Sequence, residues 1–240
     1  MSEAGRRRVR PHRGPATARS GSPSSIQRGR TAAENVVDDF GWSTPQGPHS
    51  CDYIGPRIIE VLQTLSVRRV LDLGSGNGAL CAELAASGYQ AVGVEYDRKG
   101  VEVAKRSHPG LAFYNFGVQD DPARLMAHEE LFDAVVSTEV IEHLFSPHLL
   151  PTYAKRCLKP GGHLVITTPY HGYLKNMALS LFDKWDKHHT PLWHGGHIKF
   201  WSRRTLSQLL EDNGFEVIGF SGVGRVPYLW KSMVLVARKR

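Results

Sequence analysis

The stretch "STEVIEHL", residues 137–144, gathers the residue types that move protons or hold cations. With a helix beginning near Thr138, the side chains of Glu139, Glu142 and His143 fall at i, i+3 and i+4 and share one face. An imidazole, with a reference pKa of ~6.5, can accept a proton from a phenol or alcohol near neutrality. His143 is therefore the candidate catalytic base. The bland alternative has His143 hydrogen-bonded to backbone while a carboxylate caps the helix. A second group lies in "YHGYLKNMALSLFDKWDKHHTPLWHGGHIKFWS", where His171, His188, His189, His194 and His197 alternate with Trp185, Trp193 and Trp201. No cysteine accompanies these histidines and their spacing matches no standard zinc pattern. An aromatic-lined pocket for a planar or partly apolar molecule suits them better. Its rival is a segment whose tryptophans pack on the core while most histidines are solvated, and that is the expectation for His188 and His189.

These residues need elements to position them. In "RRVLDLGSGNGAL" the run Val70–Leu73 reads as a buried strand, followed by Gly74, Ser75, Gly76 and Gly78 and then the apolar spacing of a helix. Strand, glycine loop and helix open a nucleotide-binding βαβ unit. Gly74, Gly76 and Ala79 also satisfy the dinucleotide pattern, so the glycines alone do not name the ligand. Asp72 discriminates. A pyrophosphate at this turn would be repelled by a carboxylate two residues before the first glycine, whereas the sulfonium and amino group of S-adenosylmethionine would be attracted. Glu95, ending "AVGVEYD", can accept from both hydroxyls of a ribose and serves either nucleotide.

Alternation continues along the chain. Strands are expected at 69–73, 90–95, 111–115, 132–137 and 162–168, with helical segments near 79–87, 98–106, 122–128 and 148–158 between them. A further helix begins at about Pro56, a residue suited to a first helical turn. Such alternation predicts an α/β fold with a mostly parallel sheet covered on both faces. The end changes rhythm: helix 203–213, then strands 215–220 and 231–238 with no helix between them, an antiparallel hairpin at one sheet edge. The segment 170–202 is longer than a usual αβ connection and should leave a strand's carboxyl end as a lid.

Charge narrows the partners. The net charge of +7 is contributed by residues 1–30, with eight Arg and one acid, Glu3; the other 210 residues sum to zero. A basic tail on a neutral body gives no broad nucleic-acid footprint, so no nucleic acid is expected. Rich in Arg, Ser, Pro and Gly, the tail is expected to be disordered. Residues 31–60 read as an N-terminal cap and 61–240 as the catalytic domain. No apolar run approaches the ~18 residues of a membrane span. Cys51, Cys81 and Cys157 lie far apart, as expected of a reduced, cytoplasmic protein.

Taken in order, "VLDLGSGNG", "GVEYD", "FDAVVSTEVIEHL", "LKPGGHLVITTP" and "GGHIKFWSRRTLSQLLEDNGFEV" resemble the class I S-adenosylmethionine-dependent methyltransferases. They are most similar to the branch containing the ubiquinone-biosynthesis O-methyltransferases, over about residues 60–240. The resemblance implies a Rossmann-like, seven-stranded sheet whose last inserted strand is antiparallel. It assigns Asp72, Gly74, Ser75, Gly76 and Gly78 to the methionine end of S-adenosylmethionine, Glu95 to the ribose, and Tyr96, Gly117 and Asp120 to the adenine. Many members carry Asp directly after that glycine, where this chain has Val118. Thr138 and Glu139 would close the site. Resemblance to metal-dependent E-x-x-E-H methyltransferases allows a divalent cation on Glu139, Glu142 and His143, although no fourth protein ligand is identifiable. His197 stands where the related enzymes carry a His shortly before a Phe leading into the last helix, which makes it the second candidate for substrate contact or proton transfer. The implied reaction is methyl transfer to an oxygen of a small metabolite. A nitrogen or sugar-hydroxyl acceptor, an RNA acceptor anchored by the tail, and non-catalytic binding of the cofactor are the alternatives. Oligomeric state is not legible.

Overall fold

The computed structural model describes residues 40–193 and 195–240. The expectations for the tail, for residues 31–39 and for His194 lie outside that range. Helix α1 (Cys51–Gln63) precedes β1 (Arg69–Leu73), α2 (Ala79–Ala86), β2 (Gln90–Glu95), α3 (Arg98–Ser107), β3 (Ala112–Asn115), α4 (Ala123–Met126) and β4 (Phe132–Thr138). A 3-10 turn (Ile141–His143) leads to α5 (Leu149–Cys157), β5 (Leu158–Pro169), α6 (Tyr173–Leu181), α7 (Trp185–His189), α8 (Arg203–Asp212), β6 (Phe215–Val223) and β7 (Ser232–Lys239). The seven strands form one sheet in the order β3-β2-β1-β4-β5-β7-β6. Neighbouring pairs from β3 to β5 are parallel, and β7 runs antiparallel to both β5 and β6. This is the mostly parallel sheet with a C-terminal hairpin that the alternation predicts.

Because successive side chains on a strand point to opposite faces, the sheet builds two cores. Leu71, Leu73, Val94, Val135, Leu164 and Ile166 pack with Leu150 and Tyr153 of α5 and with Leu206 and Leu210 of α8. Val70, Ala91, Val136 and Val165 pack on the other face with Ile54, Ile58 and Leu62 of α1 and with Leu80 and Leu84 of α2. Central strands buried on both sides explain why their sequences are nearly continuous in Val, Leu and Ala.

Three of the boundaries that differ from expectation bear on the fold or the site. Helix α1 starts at Cys51, so Pro56 lies in its second turn and not its first; burying Ile54 one turn before Ile58 draws the preceding residues into the helix. β5 begins at Leu158, immediately after α5. The third lies at the functional edge. Thr138 ends β4, Glu139 turns left-handed at φ 53°, and only the short 3-10 turn follows. The helix expected from Thr138 does not form.

Candidate active site

The candidate residues sit along the carboxyl ends of β1 to β5 and in the segment that follows β5, where parallel sheets leave a crevice. At the end of β1, Gly74, Gly76 and Gly78 have φ of 91°, 53° and 82°, conformations that cost other residues steric strain. Their lack of a side chain also makes room: a Cβ on Gly76 would stand 2.5 Å from the Trp42 ring, and one on Gly78 2.7 Å from Phe113. Gly74 and Ser75 both donate to the Val94 carbonyl, which folds the loop against β2.

Two buried carboxylates face this cradle. Asp72 is fully buried; its Oδ2 accepts a long bond from the Cys81 thiol at 3.5 Å and its Oδ1 has no partner. Burial pushes its pKa up to about 7. An orphaned buried carboxylate oxygen is costly unless a ligand completes it, and a cationic ligand fits. Glu95 accepts from the Gly76 N–H at 2.7 Å and from the Asp97 N–H at 2.8 Å, one on each oxygen. A carboxylate has about four acceptor sites, so each oxygen keeps one for a ribose hydroxyl. Burial raises the Glu95 pKa, and these two bonds oppose the rise. Asp97 caps α3 through Lys99 N–H and also accepts from Phe40 N–H at 2.8 Å. Asn77 holds the Thr44 and Gln46 carbonyls. The segment from Phe40 to Gln46 is thereby strapped across the glycine loop with Trp42 lying on Gly76.

Further along the edge, Asp120 accepts from Gly117 N–H at 2.8 Å and closes the turn after β3. Tyr96 is half-buried, its carbonyl held by Asn115. The Ser75 hydroxyl is buried without a partner. Thr138 is half-buried at the end of β4.

The left-handed turn at Glu139 separates the carboxylates that a helix would have aligned. Glu139 accepts from Thr167 Oγ1 at 2.9 Å and Ser232 Oγ at 3.1 Å. Burial lifts its pKa to about 7, and the Lys175 ammonium pulls the other way. Lys175 is itself buried, donates to the Lys231 carbonyl, and is pushed down to about 8 by desolvation. Glu142 accepts from Thr168 Oγ1 and is held well above the usual carboxylate range by burial and then by Glu139. The group that converges is different from the one expected: Glu142, His143 and His197, one potential ligand atom from each, all within 4.8 Å of one another. His197 takes the place expected for Glu139. Ile198 and Lys199 N–H both donate to the Glu142 carbonyl, which pins His197 beside the 3-10 turn.

His143 lies among edge-on rings: His197 at 5.1 Å, Trp193 at 6.0 Å and Phe40 at 6.1 Å between centroids. Its Nδ1 faces the Gly196 carbonyl at 3.3 Å, so in the neutral ring Nδ1 carries the proton and Nε2 the lone pair. Burial holds its pKa below the usual imidazole value. In the lid, Trp201 is buried in the core, whereas Trp185 stacks on His189 at 5.3 Å. His188 and His189 are not solvated as expected; both are half-buried. The cause is the fold of the lid into α6 and α7, which turns His188 onto His171 and His189 onto Phe200 at 4.2 Å. Phe40, Trp42, His171 and Lys175 carry no local sequence signal for their places here; only the fold brings them in.

A glycine cradle with a buried, half-unpartnered acid before it, a second buried acid ending the next strand, and a seven-stranded sheet with one reversed strand define a Rossmann-like methyltransferase. A family model described as a methyltransferase domain matches residues 31–219, and the chain belongs to that family, with S-adenosylmethionine as its methyl donor. It is 31% identical over 225 residues to a ubiquinone biosynthesis O-methyltransferase of Ruegeria, covering 87% of this chain and 89% of that protein. It is 30% identical over 184 residues to the enzyme of the same name from Bradyrhizobium diazoefficiens, covering 72% and 68%. Among solved structures, magnesium protoporphyrin IX methyltransferase from Synechocystis with bound S-adenosylhomocysteine superposes with a TM-score of 0.58 at 18% identity, covering 78% of this chain and 82% of that one. Among the described residues no helix is long and apolar enough to cross a membrane.

Proposed function

We propose that this chain transfers a methyl group to an oxygen of a small, aromatic or partly apolar acceptor, with His143 as the base that takes the acceptor's proton. The observation that carries the reading is the placement of His143: enclosed by Phe40, Trp193 and His197, kept neutral by burial, and with Nδ1 committed to the Gly196 carbonyl. That leaves Nε2 as the proton acceptor. S-adenosylmethionine, when bound, supplies an electrophilic methyl carbon on a sulfonium. Asp72 and Glu95 would hold it, Asp72 through the orphaned oxygen and Glu95 through its two free acceptor sites. The aromatic walls exclude water and hold the acceptor, so that much of the rate comes from positioning. The relatives named as ubiquinone biosynthesis O-methyltransferases support oxygen as the accepting atom.

A second reading rests on one observation. Glu142 Oε1 and His197 Nδ1 are both buried without hydrogen-bond partners, Oε1 lying 3.9 Å from His143 Nε2, and they converge with His143. Two imidazoles and a carboxylate there could hold a divalent cation that would orient the acceptor oxygen. One experiment separates the two. With a panel of phenols, amines and glycosides as acceptors, His143→Ala should lower kcat by ~10²–10⁴ and leave S-adenosylhomocysteine binding unchanged. In the wild type the acidic limb of kcat should fall below pH 6.5, because the base must be neutral and its pKa is depressed. Chelator should have no effect. Loss of turnover in chelator, restored by Mg²⁺ or Mn²⁺, would move the role to the cation and make Glu142→Ala as damaging as His143→Ala.

A further inference from the structure

Beside the Glu142–His143–His197 trio, with the His188 ring 6.2 Å from that of His197 between centroids, the lid holds a second pair of facing imidazoles. His171 lies in the link between β5 and α6, and His188 on α7. Their Nε2 atoms point at each other at 3.4 Å, with ring centroids 5.0 Å apart. For an N–H···N bond this is long, since ordinary bonds fall at about 2.7–3.2 Å. It is close to the separation that a shared metal imposes: two metal–nitrogen bonds of about 2.0–2.1 Å at a tetrahedral angle place the nitrogens roughly 3.3–3.4 Å apart. The other nitrogen of His171 is already engaged, Nδ1 standing 3.2 Å from the Asn176 side-chain oxygen. A carbonyl oxygen can only accept, so it fixes the proton on Nδ1 and leaves the Nε2 lone pair aimed at His188. Metal-ligating histidines are oriented by this kind of outer contact.

We propose that His171 and His188 are a two-histidine site for a late first-row divalent cation such as Zn²⁺, Co²⁺, Ni²⁺ or Cu²⁺, with water completing the coordination. Imidazole donors without carboxylate select these ions over Mg²⁺ or Ca²⁺, which take oxygen ligands. His171 is buried, which keeps its ring in place. Phe200 packs edge-on against His171 at 4.8 Å, and Trp185 against His188 at 6.4 Å, so both rings are braced by neighbours. The nearby Lys175 turns its ammonium to the Lys231 carbonyl. On binding, His188 carries its proton on Nδ1 and offers Nε2, so two neutral imidazoles coordinate with no net release of protons. The ion would cross-link α7 to the end of β5 and hold the lid down. The site does not depend on which acceptor is methylated.

The test is a titration of the metal-free full chain with Co²⁺, followed by its visible absorption and by competition with Zn²⁺. One equivalent with tetrahedral-type bands is expected. His171→Gln and His188→Gln should each weaken binding by at least about tenfold, while Glu142→Gln, which dismantles the trio, should leave it unchanged. Since His171 is buried, its variant is judged only if it melts cooperatively; His188→Gln, at a half-buried position on a short helix, decides the matter alone if it does not. Absence of saturable binding would overturn the proposal. So would binding that survives His188→Gln, or that disappears with Glu142→Gln.

Discussion

Asp72 gives the sharpest quantitative expectation. In the ligand-free protein its carboxyl is buried, lacks a partner on Oδ1 and is pushed up to about 7. A bound ammonium favours the ionised form, so ligand binding must expel the proton wherever Asp72 holds one. If the bound pKa falls to an ordinary carboxylate value of ~4, binding releases about 0.5 proton at pH 7, roughly 0.9 at pH 6 and about 0.1 at pH 8. Apparent affinity should then rise about tenfold between pH 6 and pH 8, equivalent to ~1.4 kcal/mol. S-adenosylhomocysteine is the suitable ligand, since its amino group stays protonated through this range. Calorimetry at each pH in two buffers of different ionisation enthalpy reads the released protons directly. Asp72→Asn should bind more weakly and show neither proton release nor the pH dependence. A wild-type affinity flat from pH 6 to pH 8, with no buffer-dependent heat, would refute the assignment of Asp72 to the cationic end of the ligand.

Other expectations follow from the same geometry. Gly76→Ala adds a Cβ 2.5 Å from Trp42 at a φ of 53°, and should cost ~1–2 kcal/mol of stability from the left-handed backbone alone, with a larger loss of S-adenosylhomocysteine affinity as Trp42 is displaced. Glu95→Ala should weaken that ligand by ~1.5–3 kcal/mol, roughly ten- to a hundredfold; it should also lower the melting temperature, because Gly76 and Asp97 N–H lose their acceptor. Burial pushes His171 and His197 down to about 4 and His188 to about 3. The unfolded chain therefore binds protons that the native one refuses, and their contribution to stability is complete above about pH 6.5 and lost as the pH falls towards 4. Asp72 and Glu139, both raised to about 7, act in the opposite sense over pH 4–7. The histidine part is accordingly read as the difference between wild type and His188→Gln in melting curves across that window, the variant showing the shallower acid loss.

The sheet was legible because its signal is local and redundant. Val70, Leu71 and Leu73, Val92 and Val94, and Val135 and Val136 place apolar side chains on both faces, which only a strand covered on both sides requires. The glycine loop was legible for the same reason: strand, turn and helix are contiguous in the chain. Asp72 and Glu95 each sit on a strand whose end is marked by a turn signal, so their positions follow once the strands are drawn. The two lid helices were not drawn. α6 exposes Tyr173, Met177 and Leu181 while burying Lys175, an arrangement opposite to the amphipathic pattern that marks a surface helix.

The chemical end of the site was only half legible, and the cause can be traced to one residue. "EVIEH" carries a helical spacing, and propensity offers no reason for Glu139 to take a left-handed φ of 53°. What holds it there is distant in sequence: Thr167 and Ser232 take its carboxylate, and the Thr167 carbonyl takes its N–H at 3.2 Å. Those partners lie on β5 and β7, so the turn is decided by the sheet and not by its own residues. Once Glu139 is drawn to that side, the chain shortens into a 3-10 turn and the Glu142 carbonyl is free to receive Ile198 and Lys199. His197 then meets His143 across more than fifty residues of chain. A buried polar bond network thus converts a helical spacing into a different set of neighbours, and His143 keeps its candidacy while its companions change.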